Sequence, residues 1–294
     1  MKHAIILFIH HLPEQVNIFI DQILKSTDMD IYIHINAKYY DLKDKLIKDN
    51  RVFISDSCFP ITWGGDGLTH AIIQMFKEVI NSGKEYGHVL LCSGQDLIIK
   101  RGLEEFLDNN TDKVYLDSHE SDRVRRIYLL HEYPKCFLQL LDSKWDIRKI
   151  LRSLYMKLLY RGVNLFPKRI TYDVRSITFY YSPFWGALPF PVIKHVVDIT
   201  SNESFMTIYN GSFMTEESFL ATIVMNSPYS SMLHFDENGL SHSLTYILGS
   251  VNGHPPVITM NDISKLSDSG AFFARKFDAR IDNEVIKYYR NLIG

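Results

Sequence analysis

Ala4-Ile5-Ile6-Leu7-Phe8-Ile9-His10-His11-Leu12-Pro13 sets the fold. Six consecutive apolar residues make a short run of strand length, and His10 and His11 interrupt it before it reaches the length of a secretory h-region. Residues 4 to 9 therefore read as a first buried strand. Pro13 stands where a helix begins, and Val16, Phe19, Ile20 and Ile23 follow at helical spacing.

Further along, residues 31 to 35 are strand-like and end in His34-Ile35-Asn36-Ala37-Lys38. A short strand at 52 to 54 leads to Trp63-Gly64-Gly65-Asp66-Gly67. Leu68, Ala71, Ile72, Met75, Phe76, Val79 and Ile80 then fall on one side of a helix over 68–80, and an apolar strand over 88–91 opens onto Ser93-Gly94-Gln95-Asp96. Strand alternating with helix predicts a mostly parallel α/β sheet covered by helices, with its ligand at the carboxyl ends of the strands. The glycines at 64, 65 and 67 lack the Gly-Lys-Ser/Thr ending of an ATPase phosphate loop, and no Gly-x-Gly-x-x-Gly follows the first strand. Asp28-Met29-Asp30 precedes a strand instead of ending one, which is the wrong place for a substrate-facing metal clamp.

The chain has 294 residues, 46% of them hydrophobic, enough for a large core. We expect one domain over 1–294 in three parts, 1–116, 117–190 with a basic helical insertion, and 191–294. A net charge of −2 gives no general affinity for nucleic acid or membrane. Cys58, Cys92 and Cys136 have no paired spacing and fit free thiols of a reducing compartment. No run is long enough for a transmembrane span. Between Ser143 and Ile170, Lys144, Arg148, Lys149, Arg152, Lys157, Arg161, Lys168 and Arg169 face only Asp146, interleaved with an apolar stripe. Such a segment, 144–169, either lies on an anionic membrane surface or packs its stripe on the core and leaves its charges in water.

Chemistry is legible in two stretches. Met214-Thr215-Glu216-Glu217-Ser218-Phe219-Leu220-Ala221-Thr222-Ile223 predicts a helix capped by Thr215 with two carboxylates in its first turn, where the dipole favours the ionised form. Gly270-Ala271-Phe272-Phe273-Ala274-Arg275-Lys276-Phe277 sets adjacent cations among aromatics, an expensive arrangement unless an anion meets them. A base on one element and a diphosphate grip on another make a glycosyl-transfer site. The aromatic run 177–188 reads as a strand and turn whose rings stack on sugars or fill the core.

Five blocks, in order over nearly the whole chain, resemble the core-2/I-branching N-acetylglucosaminyltransferase and peptide O-xylosyltransferase family, glycosyltransferase family 14. They are Ile9-His10-His11; Ile33-His34-Ile35-Asn36-Ala37-Lys38; Trp63-Gly64-Gly65; Leu91-Cys92-Ser93-Gly94-Gln95-Asp96; and Glu217-Ser218-Phe219 through Thr222 with Phe273-Ala274-Arg275-Lys276-Phe277. The resemblance implies a GT-A type fold, inversion at the anomeric carbon, a UDP-sugar donor and no divalent metal or other cofactor. It implies that Glu217 is the general base and that Arg275 and Lys276 hold the diphosphate. His10, Asn36, Trp63, Gly64 and Asp96 are then expected on the donor side. Glu216, Trp185, Arg123 and Arg126 are acceptor candidates.

Three positions depart from the family pattern. Asn36 stands where an Asp is usual, Phe184 replaces the Asp that xylosyltransferases carry before the Trp, and Leu248-Gly249 replaces an acidic residue and Trp. The animal enzymes' anchor, stem and disulfides are absent from these residues. The chain thus resembles bacterial members, expected in the cytoplasm or at the cytoplasmic face of the membrane in surface polysaccharide assembly, with a glycan or lipid-linked glycan as acceptor. The expected donor sugar is N-acetylglucosamine; xylose, glucose and galactose are the alternatives, as is a non-catalytic UDP-sugar- or glycan-binding module.

Overall fold

The computed structural model describes residues 1–134, 147–249 and 255–293. Cys136 and Lys144 lie outside them, as do the side chains of Arg123, Arg125 and Lys149. β1 (Ala4–Ile9) is buried along its whole length. Pro13 opens α1 (Pro13–Ser26) at its first helical position, where the missing N–H would have had no helical partner. The chain continues through β2 (Asp30–Ile35), β3 (Val52–Ile54), α2 (Gly67–Asn81) and β4 (His88–Ser93), the expected succession with ends shifted by two residues at most. β5 (Asp96–Ile98), α3 (Leu103–Asp108), β6 (Tyr115–Leu116), β7 (His119–Glu120), α4 (Arg123–Leu130) and α5 (Ile147–Tyr160) follow. The C-terminal part comprises β8 (Tyr180–Tyr181), β9 (Gly186–Pro189), α6 (Phe190–Thr200), α7 (Glu203–Met206), α8 (Phe219–Met225), β10 (Thr245–Ile247), α9 (Ile263–Asp268), β11 (Phe273–Arg275) and α10 (Asn283–Ile293).

The main sheet has the order β3-β2-β1-β4-β9-β6. Its first four strands are parallel, and β9 runs antiparallel to both neighbours. This is a mixed, mostly parallel, Rossmann-like α/β architecture. Alternate residues of β1 serve opposite faces. Ile6 and Phe8 join Ile72 and Phe76 of α2 and Val192 and Val196 of α6 on one side. Ile5 and Leu7 join Phe19 and Ile20 of α1 and Val285 and Tyr289 of α10 on the other. Burial on both faces explains why β1 has no polar alternation to read.

A second sheet, β10-β11-β5, sits beside the first and sets Arg275 directly opposite Asp96. The stretch from Asn226 to Asp262, whose sequence reads as loop-rich, contributes β10 to it. Three residues carry no periodic signal, and β10 exists because β11 supplies its hydrogen-bond partners. The aromatic run 177–188 divides into β8 and β9, which belong to different sheets. Asp30 is fully buried and meets Lys84 (2.8 Å), Lys2 (2.5 Å) and the Tyr86 hydroxyl (2.7 Å), while Asp28 is open to solvent.

Two core histidines are held neutral. The His88 backbone N–H donates to His3 Nδ1 (3.0 Å) and the Phe59 N–H donates to His34 Nε2 (3.1 Å), so each ring must keep a lone pair. Burial first of all pushes both down to about 4. The unfolded chain takes up these protons near 6.5 and the folded chain only near 4. Between those values the unfolded state binds more protons, so stability falls as pH falls, by on the order of a few kcal/mol in all. Urea midpoints measured from pH 7 to 4.5 are expected to decline, and His34→Gln, which keeps an acceptor but does not titrate, is expected to flatten that decline.

Candidate active site

A cavity of about 220 Å³ lies at the carboxyl ends of β1, β2 and β4. His10 follows β1, Asn36 follows β2 and Ser93 ends β4, which is where ligands sit in open α/β sheets. Trp63 and Gly64 form one side, and Trp185, Arg275 and Glu216 complete the wall. Seven of the residues expected at the site are thereby gathered around one space.

Arg275 reaches this space through a fixed arrangement. Its Nε lies 3.3 Å from Asp96 Oδ1, and its guanidinium stacks on the Trp185 ring at 4.0 Å. The Trp185 indole N–H donates to Asp96 Oδ2 (3.0 Å), the Ser93 N–H to the same oxygen (2.7 Å), and the Ser93 hydroxyl to Oδ1 (2.6 Å). Asp96 is completely buried. Burial pushes its carboxyl up, against the pull of Arg275 and of the Ser93 and Trp185 donors. Asp96 thus stands behind the wall, its oxygens occupied, and positions Arg275 and Trp185. Trp185, expected on the acceptor side, lines the same cavity as His10, Asn36, Trp63 and Gly64, together with Phe184, 4.0 Å away between ring centroids.

His10 stands at the lip of the cavity, its ring centroid 4.0 Å from that of His11 and tilted by 33°. Desolvation, then the charges of His11, Lys276 and Arg275, push it down to about 4. Lys276 is not among the residues that line the cavity, but its charge acts on both His10 and His11. Asn36 lines the cavity, but its amide bridges the loop beyond: Nδ2 donates to the Ile61 carbonyl (2.7 Å) and Oδ1 accepts from the Lys38 N–H (3.2 Å). Gly64 has φ +75°, and a Cβ there would lie 2.1 Å from the Phe213 ring. It serves close approach as well as the turn.

The two carboxylates are not in the first turn of α8. They occupy a separate 3-10 turn, Thr215–Glu217, because Ser218 leaves helical geometry (φ −136°, ψ −40°) and the Ser182 N–H claims the Glu217 carbonyl (2.8 Å). Thr215 caps nothing: its hydroxyl is buried against that of Thr69 at 2.7 Å, locking the turn to α2. Glu216 faces the cavity with Arg275, and its Oε2 is sealed from water without a hydrogen-bond partner. Desolvation and the negative charges of Glu217 and Asp66 push it up to about 8, the opposite of the dipole-favoured ionisation expected from the sequence. Glu217 lines a neighbouring cavity of about 360 Å³ with Asp122, Tyr128, Tyr181 and Phe213. Arg126 is outside both cavities, exposed and paired with Glu120 at 3.1 Å. Sequence reasoning missed Arg152, whose guanidinium covers the Trp63 ring at 4.4 Å; the two residues are far apart in the chain and nothing local links them.

No family model matches this chain. It is 22% identical over 290 residues to a xylosyltransferase of Ciona intestinalis, covering 91% of this chain and 31% of that protein. The chain therefore spans about a third of the length of the curated relative it matches. Among solved structures, it is similar to a sucrose complex of a Bacillus anthracis chain described as a glucose-1-phosphate thymidylyltransferase. That match has 10% identity, a TM-score of 0.26, and coverage of 62% of this chain and 89% of the other.

Asp96→Ala would leave the Arg275 guanidinium buried beside an apolar methyl group and the Trp185 N–H without its acceptor. A loss of about 3–5 kcal/mol is expected in chemical denaturation, together with a changed Trp fluorescence of the folded state.

Proposed function

We propose that the chain is an inverting glycosyltransferase of the GT-A type that uses a UDP-sugar and no divalent metal, and that it belongs with glycosyltransferase family 14. One observation carries this reading: Arg275 is held by Asp96 and Trp185 in the wall of a cavity at the strand ends that Glu216 also lines, while Glu217, next on the same turn, lines the neighbouring cavity. Arg275 and Lys276 neutralise the charge that develops on the departing diphosphate, the task a metal performs elsewhere. The sugar lies against Trp185 and Phe184.

Two adjacent carboxyl groups whose surroundings differ divide the proton work between them. Glu216, pushed up to about 8, holds a proton at neutral pH, and the Glu217 charge is one cause of that shift. Glu217 is the base in this proposal. From the neighbouring cavity, where Tyr128, Tyr181 and Asp122 offer polar contacts, it removes the proton of the acceptor hydroxyl as that oxygen attacks the anomeric carbon. The C–O bond to the sugar forms as the bond to UDP breaks from the opposite face.

The donor we favour is N-acetylglucosamine, transferred to a glycan at the cytoplasmic side in bacterial surface polysaccharide assembly. Xylose is the second reading, supported by the name of the Ciona relative. Phe184, apolar and in the cavity wall, stands against it. In this proposal the chain divides at about residues 116 and 190 into donor, acceptor and catalytic parts.

Calorimetry with UDP and with UDP-N-acetylglucosamine, UDP-xylose, UDP-glucose and UDP-galactose, each in EDTA and in manganese, tests the reading. Binding unaffected by EDTA is expected, weakened about tenfold to a hundredfold by Lys276→Ala. Absence of binding by all five would refute the donor assignment. With the preferred donor, Glu217→Gln is expected to lower kcat by about 10²–10⁴-fold while UDP still binds. Near-normal transfer by that variant would move the base elsewhere.

A further inference from the structure

The helix α5 has two apolar faces, and only one is covered. Tyr155 and Leu159 pack with Tyr133 and Phe213 in a small cluster of their own. Ile147, Ile150, Leu151 and Leu154, at the i, i+3, i+4, i+7 spacing of a second stripe, are exposed: 71%, 70%, 44% and 55%. Val163, Leu165 and Phe166 extend the open surface past the end of the helix. Eight of the sixteen exposed large apolar side chains among the described residues fall between Ile147 and Phe166, so this is a patch and not the usual scatter.

Charge accompanies the patch. Residues 147–170 contain seven Lys and Arg and no Asp or Glu, so a chain of net charge −2 carries +7 here and −9 elsewhere. Not all of that charge faces outward. The Lys168 ammonium turns inward to the carbonyls of Ile208 (2.7 Å) and Leu129 (3.4 Å) and to the Ser212 hydroxyl, and burial pushes it down to about 8. Arg152 is spent on Trp63. Lys157, Arg161 and Arg169 remain exposed around the apolar stripe.

We propose that this face of α5 docks on an anionic lipid surface. An apolar stripe rimmed by exposed cations, on a helix with no acidic residue, matches the acyl boundary below and the negative headgroups beside it. A second copy placed on the same face by a twofold axis would set cations against cations. The site lies close by: Arg152 on α5 covers Trp63 in the wall of the first cavity, and the Tyr160 hydroxyl at the end of α5 is 3.0 Å from that of Tyr128, in the wall of the second. Docking therefore brings both cavities to the lipid. No described helix is long and apolar enough to cross a membrane, so the contact is peripheral. The proposal does not depend on the transferase reading.

Sedimentation of the intact chain with vesicles tests it, using phosphatidylglycerol mixed with phosphatidylcholine against phosphatidylcholine alone. Binding to the anionic vesicles only, declining as salt rises, is the expected result. Ile150→Ser with Leu154→Ser is expected to weaken that partitioning about a hundredfold, and Lys157→Gln with Arg161→Gln about thirtyfold. All four side chains are exposed, so the variants should fold, which thermal melting checks. Failure of the unaltered chain to bind anionic vesicles would overturn the proposal. So would equal binding by both double variants, or a dimer in the ultracentrifuge that Ile150→Ser with Leu154→Ser converts to monomer without any vesicle binding.

Discussion

A guanidinium in the wall of a largely apolar cavity needs an anion behind it, and Asp96 is that anion. Its four oxygen contacts come from three parts of the chain: Ser93 at the end of β4, Trp185 before β9, and Arg275 at the end of β11. The main sheet and the small sheet meet at this carboxylate. Burial makes the arrangement costly if any partner is lost, because each polar group would then be left without water or a substitute. The same burial makes it rigid, which suits the anion-binding role proposed for Arg275.

The carboxylate turn shows how backbone geometry can separate two neighbouring residues chemically. Glu216 and Glu217 are consecutive, but a 3-10 turn held by Thr215 against Thr69, and by Ser182 against the Glu217 carbonyl, points them to different cavities. One lies among Trp63, Trp185 and Phe184, where ionisation is penalised. The other lies among tyrosines and Asp122. Had both been in the first turn of an ordinary helix, the dipole would have favoured ionisation of both.

The loop carrying Trp63 and Gly64 is clamped from two directions. Phe213 packs where a Gly64 Cβ would be, and Arg152 covers Trp63 from α5. Through that contact the cavity wall and the helix with the open apolar face are mechanically connected.

Residues that work through local pattern were legible in the sequence. β1, α1, α2 and β4 follow from apolar runs and 3.6-residue spacing, because burial of a continuous element leaves a periodic trace. Glu216 and Arg275 could be nominated from the chemistry of their own stretches, and His10, Asn36, Trp63, Gly64 and Trp185 only through the family resemblance. The partners of those side chains could not. That Asp96 is paired with Arg275 behind the cavity wall, that Trp185 shares a cavity with His10 and Trp63, that Glu216 is the carboxylate pushed up, and that Arg126 lies outside both cavities all depend on strand pairing and burial between residues distant in sequence. α5 divides the same way: its basic, amphipathic character is written in its sequence, while only the packing of Tyr155 and Leu159 decided which apolar stripe was left open. Periodicity records that a face is apolar; what covers it is a property of the assembled molecule.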